Sequence, residues 1–445
     1  MIHRTSSVKP GPSNGRGLAT LWRRGAAIGT FTLTQLLVQA LIAVTGLIVL
    51  RQLSKPEYAL YTLAVSAMSM LNVLTDFGLS HAVIALGGQR FGSTGEVEAI
   101  VAASLRVRRI LFVAAGAVAA LAMPFILAKQ GGTPAMIVLI VAVVAAASWL
   151  QAGSSIFFGV LRLYGKLARL QIIDVTANGV KLLLLLLFAF GALSLGWCMF
   201  ALITGTAIHY AFCRYSVRAL IGSQRATTAH YRLLWNFCRP LIASTAFNTV
   251  AGQITIWMLS ILSTTTAIAE IGALGRFVAL STIFGAVMGS IGMPYLSRLR
   301  DERLVRSAAF QGGGLLLGGI AGLMVSCWQW PAAWLFILGP KYANMRTELR
   351  YQIAAVCILM AGNYCYAVLA SRGATGGQWK IIPATLAAVA LGALASPPLN
   401  TVSAARFQLF VVAPQLLVQG TLLLSYFRNA RVSAAPAVED AIATI

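Results

Sequence analysis

Long apolar stretches alternate with short polar gaps along the whole chain. Twelve of them lie near 26–50, 57–86, 105–128, 135–160, 170–191, 194–213, 238–262, 267–294, 307–334, 349–371, 380–396 and 405–427. A helix that crosses a bilayer needs about 20 consecutive apolar residues, since each residue advances it only about 1.5 Å. The pattern therefore predicts an all-α integral membrane protein with about 12 transmembrane helices. The longest gap, 214–237, is basic and too short to fold alone, so no soluble domain is expected. Residues 1–22 are polar and rich in Gly, Ser and Pro, which predicts a disordered tail. The apolar stretch behind them is far too long for a cleaved signal peptide.

Charge gives the array a direction. Of the 34 Lys and Arg residues, 25 sit in the even-numbered gaps or the two tails, seven in the odd gaps, and two, Lys181 and Arg276, inside spans. Basic loops are retained on the cytoplasmic side during insertion, so the even side and both termini are expected there. The net charge of +23 then reflects topology and attraction to anionic membrane lipids. Nucleic acid is excluded as a partner, because the charges are spread over many loops without a basic face or motif. Hydrophobic residues at 58% and charged ones at 10% fit the same picture. The six cysteines lie in or beside spans without metal-type spacing and read as small apolar filler, so neither a metal nor another cofactor is expected.

The chain also echoes itself. LSKPEYALYTLA (53–64) and LSTTTAIAEIGALGRF (262–277) each close an outer loop and open a helix. GVLRLYGKLARLQII (159–173) echoes AVLASRGATGGQWKII (367–382), with Val160-Leu161 against Val368-Leu369 at an offset of 208. A six-plus-six duplication follows: bundles at 23–220 and 238–427, a basic linker at 221–237 and a tail at 428–445. Six is even, so both halves insert the same way and are related by an axis along the membrane normal, with a cavity between them.

The same stretches carry a family resemblance. Arg51, Leu53, Tyr58, Leu60 and Tyr61, followed by Asp76, Gly78 and Leu79, resemble the helix 1–2 region of polysaccharide-biosynthesis (Wzx-type) flippases. The link 157–181 resembles that family's helix 4–5 connection, and 270–300 its helix 8, down to the Pro294-x-Leu296-Ser297-Arg298 ending. The family belongs to the multidrug/oligosaccharidyl-lipid/polysaccharide exporter superfamily. That resemblance implies alternating access between two six-helix bundles in the bacterial inner membrane. It also implies an undecaprenyl-diphosphate-linked glycan as substrate, and a polysaccharide polymerase and chain-length machinery as partners. Two features depart from it: many members have fourteen helices, and the acidic residue frequent in helix 7 is absent between Asn248 and Trp257.

Ionisable side chains at membrane depth are costly and mark function by default. Asp174, Asn178 and Lys181 share one face of helix 5 over about 10 Å. They are either a charged stripe facing the cavity, with Lys181 opposing a diphosphate, or, for Asp174, a carboxylate at the rim. Arg276, with its forked donors, suits a phosphate oxygen pair or else a partner at Glu270. Arg51 flanks the first outer loop as a boundary residue or a steering charge. Asp76 is a candidate ion-coupling carboxylate, or a helix-end group bonding neighbouring backbone or a basic residue such as Arg90. Gln35 and Gln39 on helix 1, Asn248 and Gln253 on helix 7, and Gln408, Gln415 and Gln419 on helix 12 outline a polar lumen or glue helices. Gly285, Gly318 and Pro414 are candidate hinges, and Gly312-Gly313-Gly314 is a packing surface.

Three function classes compete. A flippase or a small-molecule exporter of the same superfamily catalyses no chemical step. A glycan polymerase or glycosyltransferase needs catalytic groups on a sizeable outer loop, and the outer loops here are short and carry few carboxylates.

Overall fold

The computed structural model describes residues 14–90, 95–191, 193–222, 224–299, 301–374 and 377–434; side chains before Leu33 and at some positions of the seventh and eighth spans lie outside the description. Among the described residues all regular structure is helical: α1 (Asn14–Gln52), α2 (Lys55–Asp76), α3 (Leu79–Gln89), α4 (Glu96–Lys129), α5 (Pro134–Leu163), α6 (Leu167–Ala189), α7 (Leu195–Arg218), α8 (Thr228–Leu262), α9 (Thr265–Leu274), α10 (Val278–Val287), α11 (Met293–Arg298), α12 (Glu302–Gln329), α13 (Pro331–Leu338), α14 (Arg346–Ser371), α15 (Ile381–Ala395) and α16 (Thr401–Ala434), with a few short 3₁₀ and π turns. Among the described residues eleven stretches are long and apolar enough to cross a membrane, and the expected span at 238–262 falls within α8. The expected tail at 1–22 differs in part: α1 already begins at Asn14, and residues 1–13 lie outside the described ones.

Two expected spans are interrupted. The stretch 57–86 breaks at Phe77 and Gly78, whose φ values of +38° and +85° are left-handed and end α2. Asp76 restarts the chain by accepting from the Ser80 amide at 3.3 Å, in the first turn of α3. The stretch 267–294 passes through a 3₁₀ turn at Gly275–Phe277 and a π turn at Met288–Gly292. These are the places where that span departs from α geometry. Gly285 lies within α10, and α12 and α16 continue through the expected hinges Gly318 and Pro414.

Helices α1–α7 pack largely together, as do α10–α16; α9 packs chiefly against α2, α1 also meets α10 and α13, and α8 touches α2 and α4 on one side and α16 on the other. The helix-terminating turns at Gly165 (φ +66°) and Gly373 (φ +68°) close alike. Lys166 donates to Leu161 and Ala374 to Leu369, the same six-residue closure 208 positions on. The Gly run of α12 is a packing surface only in part: a Cβ on Gly312 would meet the Tyr364 hydroxyl at 2.7 Å, that hydroxyl donates to the Ala309 carbonyl at 2.6 Å, and Gly314 faces open space.

The buried core divides by depth. One large cluster runs through both groups at the end holding the odd gaps, from Leu50 and Tyr58 through Leu195 and Ile268 to Leu338 and Ala404. At the opposite, basic end the described residues form two smaller cores. One belongs to the first group and α8 (Leu79, Ile100, Ile156, Cys213, Leu234), the other to the second (Leu296, Val305, Tyr364, Phe427). Burial of apolar surface thus joins the two lobes at one end and stabilises each separately at the other.

Candidate functional site

At the far end the lobes are stitched by polar contacts between helix ends. Arg51, at the last turn of α1, donates to the carbonyls of Phe336 at 2.6 Å and Ile337 at 3.1 Å. Lys341 returns the exchange, donating to the carbonyls of Arg51 at 3.0 Å and Leu53 at 2.7 Å. Each cation sits on the carbonyl-rich C-terminus of a helix from the other lobe, where exposed acceptors and the helix dipole favour positive charge. Lys55 pairs with Glu270 at 2.7 Å, and Thr401 donates to the second oxygen of the same carboxylate. Gln130 donates to the Ser260 carbonyl at 2.9 Å, and Lys129 to that of Ile261. Tyr342 is buried in this seam, and burial pushes its phenol up, with Tyr58 and Glu270 adding and Arg276 opposing, so it stays neutral.

Below this seam α9 presses closely on α2. A Cβ on Gly272 would stand 2.6 Å from the Thr62 hydroxyl, an approach only glycine allows. Under the contact opens a cavity of about 400 Å³ between the lobes, lined from α2, α8, the Gly275–Phe277 turn, α14 and α16. Arg276 enters it from that turn. Its Nε donates to the Tyr58 hydroxyl at 3.0 Å and its guanidinium lies 5.8 Å from the Tyr58 ring centre, while the Tyr58 hydroxyl donates to the Gly272 carbonyl at 3.2 Å. The group also lies against Gly46 of α1, where a Cβ would reach Arg276 Nη1 at 2.5 Å. Glu270, the partner considered from sequence, is engaged by Lys55 and Thr401 instead. Gln253 lines the cavity and accepts from Ser66 at 2.7 Å. Gln408 lines it too, and its shielded Oε1 has no hydrogen-bond partner among the described residues. No carboxylate is among the lining residues.

Lys181 lies on α6 where it meets α7. A Cβ on Gly205 would sit 3.1 Å from the Lys181 Cβ, and the ammonium is within electrostatic range of Arg276. Among the described residues neither cation has a carboxylate partner within 4.0 Å. The rest of the helix 5 stripe turns elsewhere. Asp174 pairs with His209 of α7 at 3.1 Å, in a small cavity of the first lobe that His81 and Arg162 also line. Asn178 donates to the Asp174 backbone carbonyl at 2.9 Å, so it does not bridge toward Lys181.

Asp76 holds Arg108 of α4 at 2.7 Å, not Arg90, and accepts from the Ser80 hydroxyl at 2.8 Å. Gln35 and Gln39 are half-buried on α1 and do not line the cavity. The Asn248 side chain lies outside the described residues. Gln415 donates to Asn363 at 2.8 Å, and Asn363 to Ser281 at 3.2 Å, tying α16, α14 and α10 together. Sequence reasoning missed Tyr58 as the partner of Arg276 and His209 as that of Asp174. A histidine inside an apolar span was the available signal for the second; the first joins residues 218 positions apart.

No protein-family model matches the chain, and no curated protein matches it in sequence. Solved structures do resemble it. A lipid II flippase MurJ in an inward closed conformation superposes with a TM-score of 0.71 at 10% identity, over 89% of this chain and 87% of that one. An inward-facing multidrug resistance MATE family transporter of the MOP superfamily gives 0.64 at 16%, over 91% and 98%. A Vibrio cholerae MATE transporter, VcmN, in a mutant form gives 0.58 at 14%, over 93% and 98%. At such identities the likeness is one of fold. The all-helical membrane architecture is that of these proteins, which are transporters and a flippase.

Proposed function

We propose that this chain is a flippase moving a lipid-diphosphate-linked oligosaccharide across the bacterial inner membrane for polysaccharide export. The observation that carries the reading is Arg276, reinforced by Lys181: two cations at membrane depth without carboxylate partners, one of them in a cavity between the lobes. A buried charge left unpaired is costly, and an anionic ligand relieves that cost. A diphosphate offers oxygens to the guanidinium fork while the lipid tail stays in the bilayer. Gln253, Gln408 and Ser66 are suited to sugar hydroxyls. No reacting group is needed. The ligand would bias an equilibrium between arrangements of the lobes, with the far-end seam as one gate. The even gaps and both termini would face the cytoplasm, and the two lobes would be the repeated bundles, assisted by polymerase and chain-length machinery.

A multidrug-type exporter is the second reading, favoured by the likeness to MATE transporters. A cavity with an arginine and no carboxylate repels organic cations, which sets that reading behind the first.

The test is a deletion strain in which lipid-linked oligosaccharide is located by a membrane-impermeant sugar-modifying probe. Intermediates should stay on the cytoplasmic leaflet, with wild type restoring exposure and Arg276→Ala failing to. Normal exposure in a strain lacking any related flippase would overturn the proposal and leave the small-molecule exporter.

A further inference from the structure

Away from the inter-lobe site, the membrane-facing side of the first lobe carries a second basic concavity. A cavity of about 320 Å³ lies between α4, α5 and α7 at the basic end, and Arg108, Arg109, Arg214 and Arg218 all line it. One carboxylate, Glu98, is present, and it is occupied by the Gly222 amide at 3.1 Å. Arg108 is only 3% exposed and fixed by Asp76, yet its shielded Nε has no hydrogen-bond partner among the described residues. Arg109, Arg214 and Arg218 are exposed and make no ion pair among the described residues. The wall is aromatic: Trp149 meets Phe112 edge-on at 5.2 Å, and Arg214 lies 6.0 Å from the Tyr210 ring centre.

Phe112 also lines a second cavity of about 300 Å³, which continues along α4 and α5 away from the basic end. Every residue lining it is apolar, and many are small: Gly116, Ala120 and Ala145 make the channel, with Met123 and Val141 at its far reach. From Arg109 to Met123 the helix advances about 21 Å, against about 15 Å for one leaflet's hydrocarbon. Ile110 and Val113, at 63% and 66% exposure, mark this side of α4 as facing lipid. The arginines sit where the apolar stretches 105–128 and 194–213 meet the basic gaps, at head-group depth.

We infer that this groove is a binding site for a net-anionic phospholipid of the bilayer. Its phosphate would lie among Arg109, Arg214 and Arg218 over the fixed Arg108, and one acyl chain would run beside Gly116 and Ala120. Basic pockets between membrane helices at head-group level are suited to such lipids, because the arginine fork matches phosphate oxygens while the chain fills the apolar channel. A zwitterionic lipid, whose ammonium meets the same cations, binds less well. The lipid ties α4 to α7 across α5.

The test is native mass spectrometry of the purified full chain, titrated with phosphatidylglycerol or phosphatidylcholine. Wild type should retain phosphatidylglycerol at least tenfold more tightly, and Arg109→Gln/Arg214→Gln/Arg218→Gln should lose that preference. Gly116→Leu should weaken both lipids by blocking the channel. Arg276→Ala should leave the preference intact, which separates this site from the transport reading. An unchanged preference in the triple variant would overturn the inference. So would full displacement by millimolar inorganic phosphate, which would make the site one for a free anion. Preferential displacement by undecaprenyl diphosphate, dependent on the same arginines, would overturn it too, by assigning the groove to substrate capture.

Discussion

The two ends of this molecule are built on different principles. At the far end one hydrophobic core runs through both lobes, and a row of polar bonds crosses the seam: Arg51 and Lys341 exchange helix ends, Lys55 meets Glu270, and Gln130 meets Ser260. At the basic end the cores are separate. There the ion pairs among the described residues stay within one side: Asp76–Arg108 joins α2 to α4, Glu96 meets Arg90 and His230, and Glu302–Arg372 joins the start of α12 to the end of α14. Opening the far end parts the shared core as well as the polar seam, whereas each basic-end core can move as a unit. On the proposed function the far end would be a gate held shut and the basic end two bodies able to part, as alternating access requires.

Breaking a basic-end pair should do the most damage. Asp76→Ala leaves Arg108, 3% exposed, without its counter-charge. Loss of one partner of a buried pair costs about 3–5 kcal/mol. Thermal unfolding in detergent should fall accordingly, and Asp76→Ala/Arg108→Met should recover much of it. If Asp76→Ala left stability unchanged while abolishing transport, the carboxylate would be an ion-coupling group.

The far-end gate should respond with a shift of state. Gly272→Val forces side-chain atoms into the 2.6 Å approach to Thr62. Overpacking of this kind costs about 1–3 kcal/mol, here charged to the closed seam alone. Spin labels on the loops after α1 and α8 should then report a longer inter-lobe distance, with unfolding little changed. A fall in thermal stability without a distance change would place the contact in the core and not in a gate.

Smallest of the three is Lys55→Ala. Its pair with Glu270 keeps some solvent access, at 30% and 16% side-chain exposure, so about 1 kcal/mol is expected. The same label pair should show a modest shift toward separation that high salt mimics in wild type. No salt response would remove ion pairing from the gate.

How much of this was legible in advance varied with range. Spans and their ends follow from hydropathy and caps, which are local: the capping box of Ser54 and Glu57 and the turn at Gly165 are set by neighbouring residues. The interruption at Phe77 and Gly78 was hidden because an apolar count is blind to φ. Within the site, the cost of a charge in hydrocarbon singled out Arg276 and Lys181 without any neighbour being known. Their surroundings were not legible, since Tyr58, Gly46 and Gly205 come from other helices and only packing brings them near. The three-residue stripe on α6 was real as a periodicity, but Asp174 finds His209 while Lys181 lies toward Arg276.

On the proposed function the inter-lobe cavity takes an anionic anchor. Binding of an undecaprenyl-diphosphate disaccharide and of an organic cation to the purified full chain, in wild type and Arg276→Gln, tests it most directly. A charge-assisted contact of about 2 kcal/mol corresponds to roughly thirtyfold in affinity. The diphosphate should therefore bind wild type far better than the cation and lose about that factor in Arg276→Gln. Equal affinity of the two proteins for the diphosphate, or tighter binding of the cation by wild type, would mean that Arg276 does not hold an anionic anchor in this cavity.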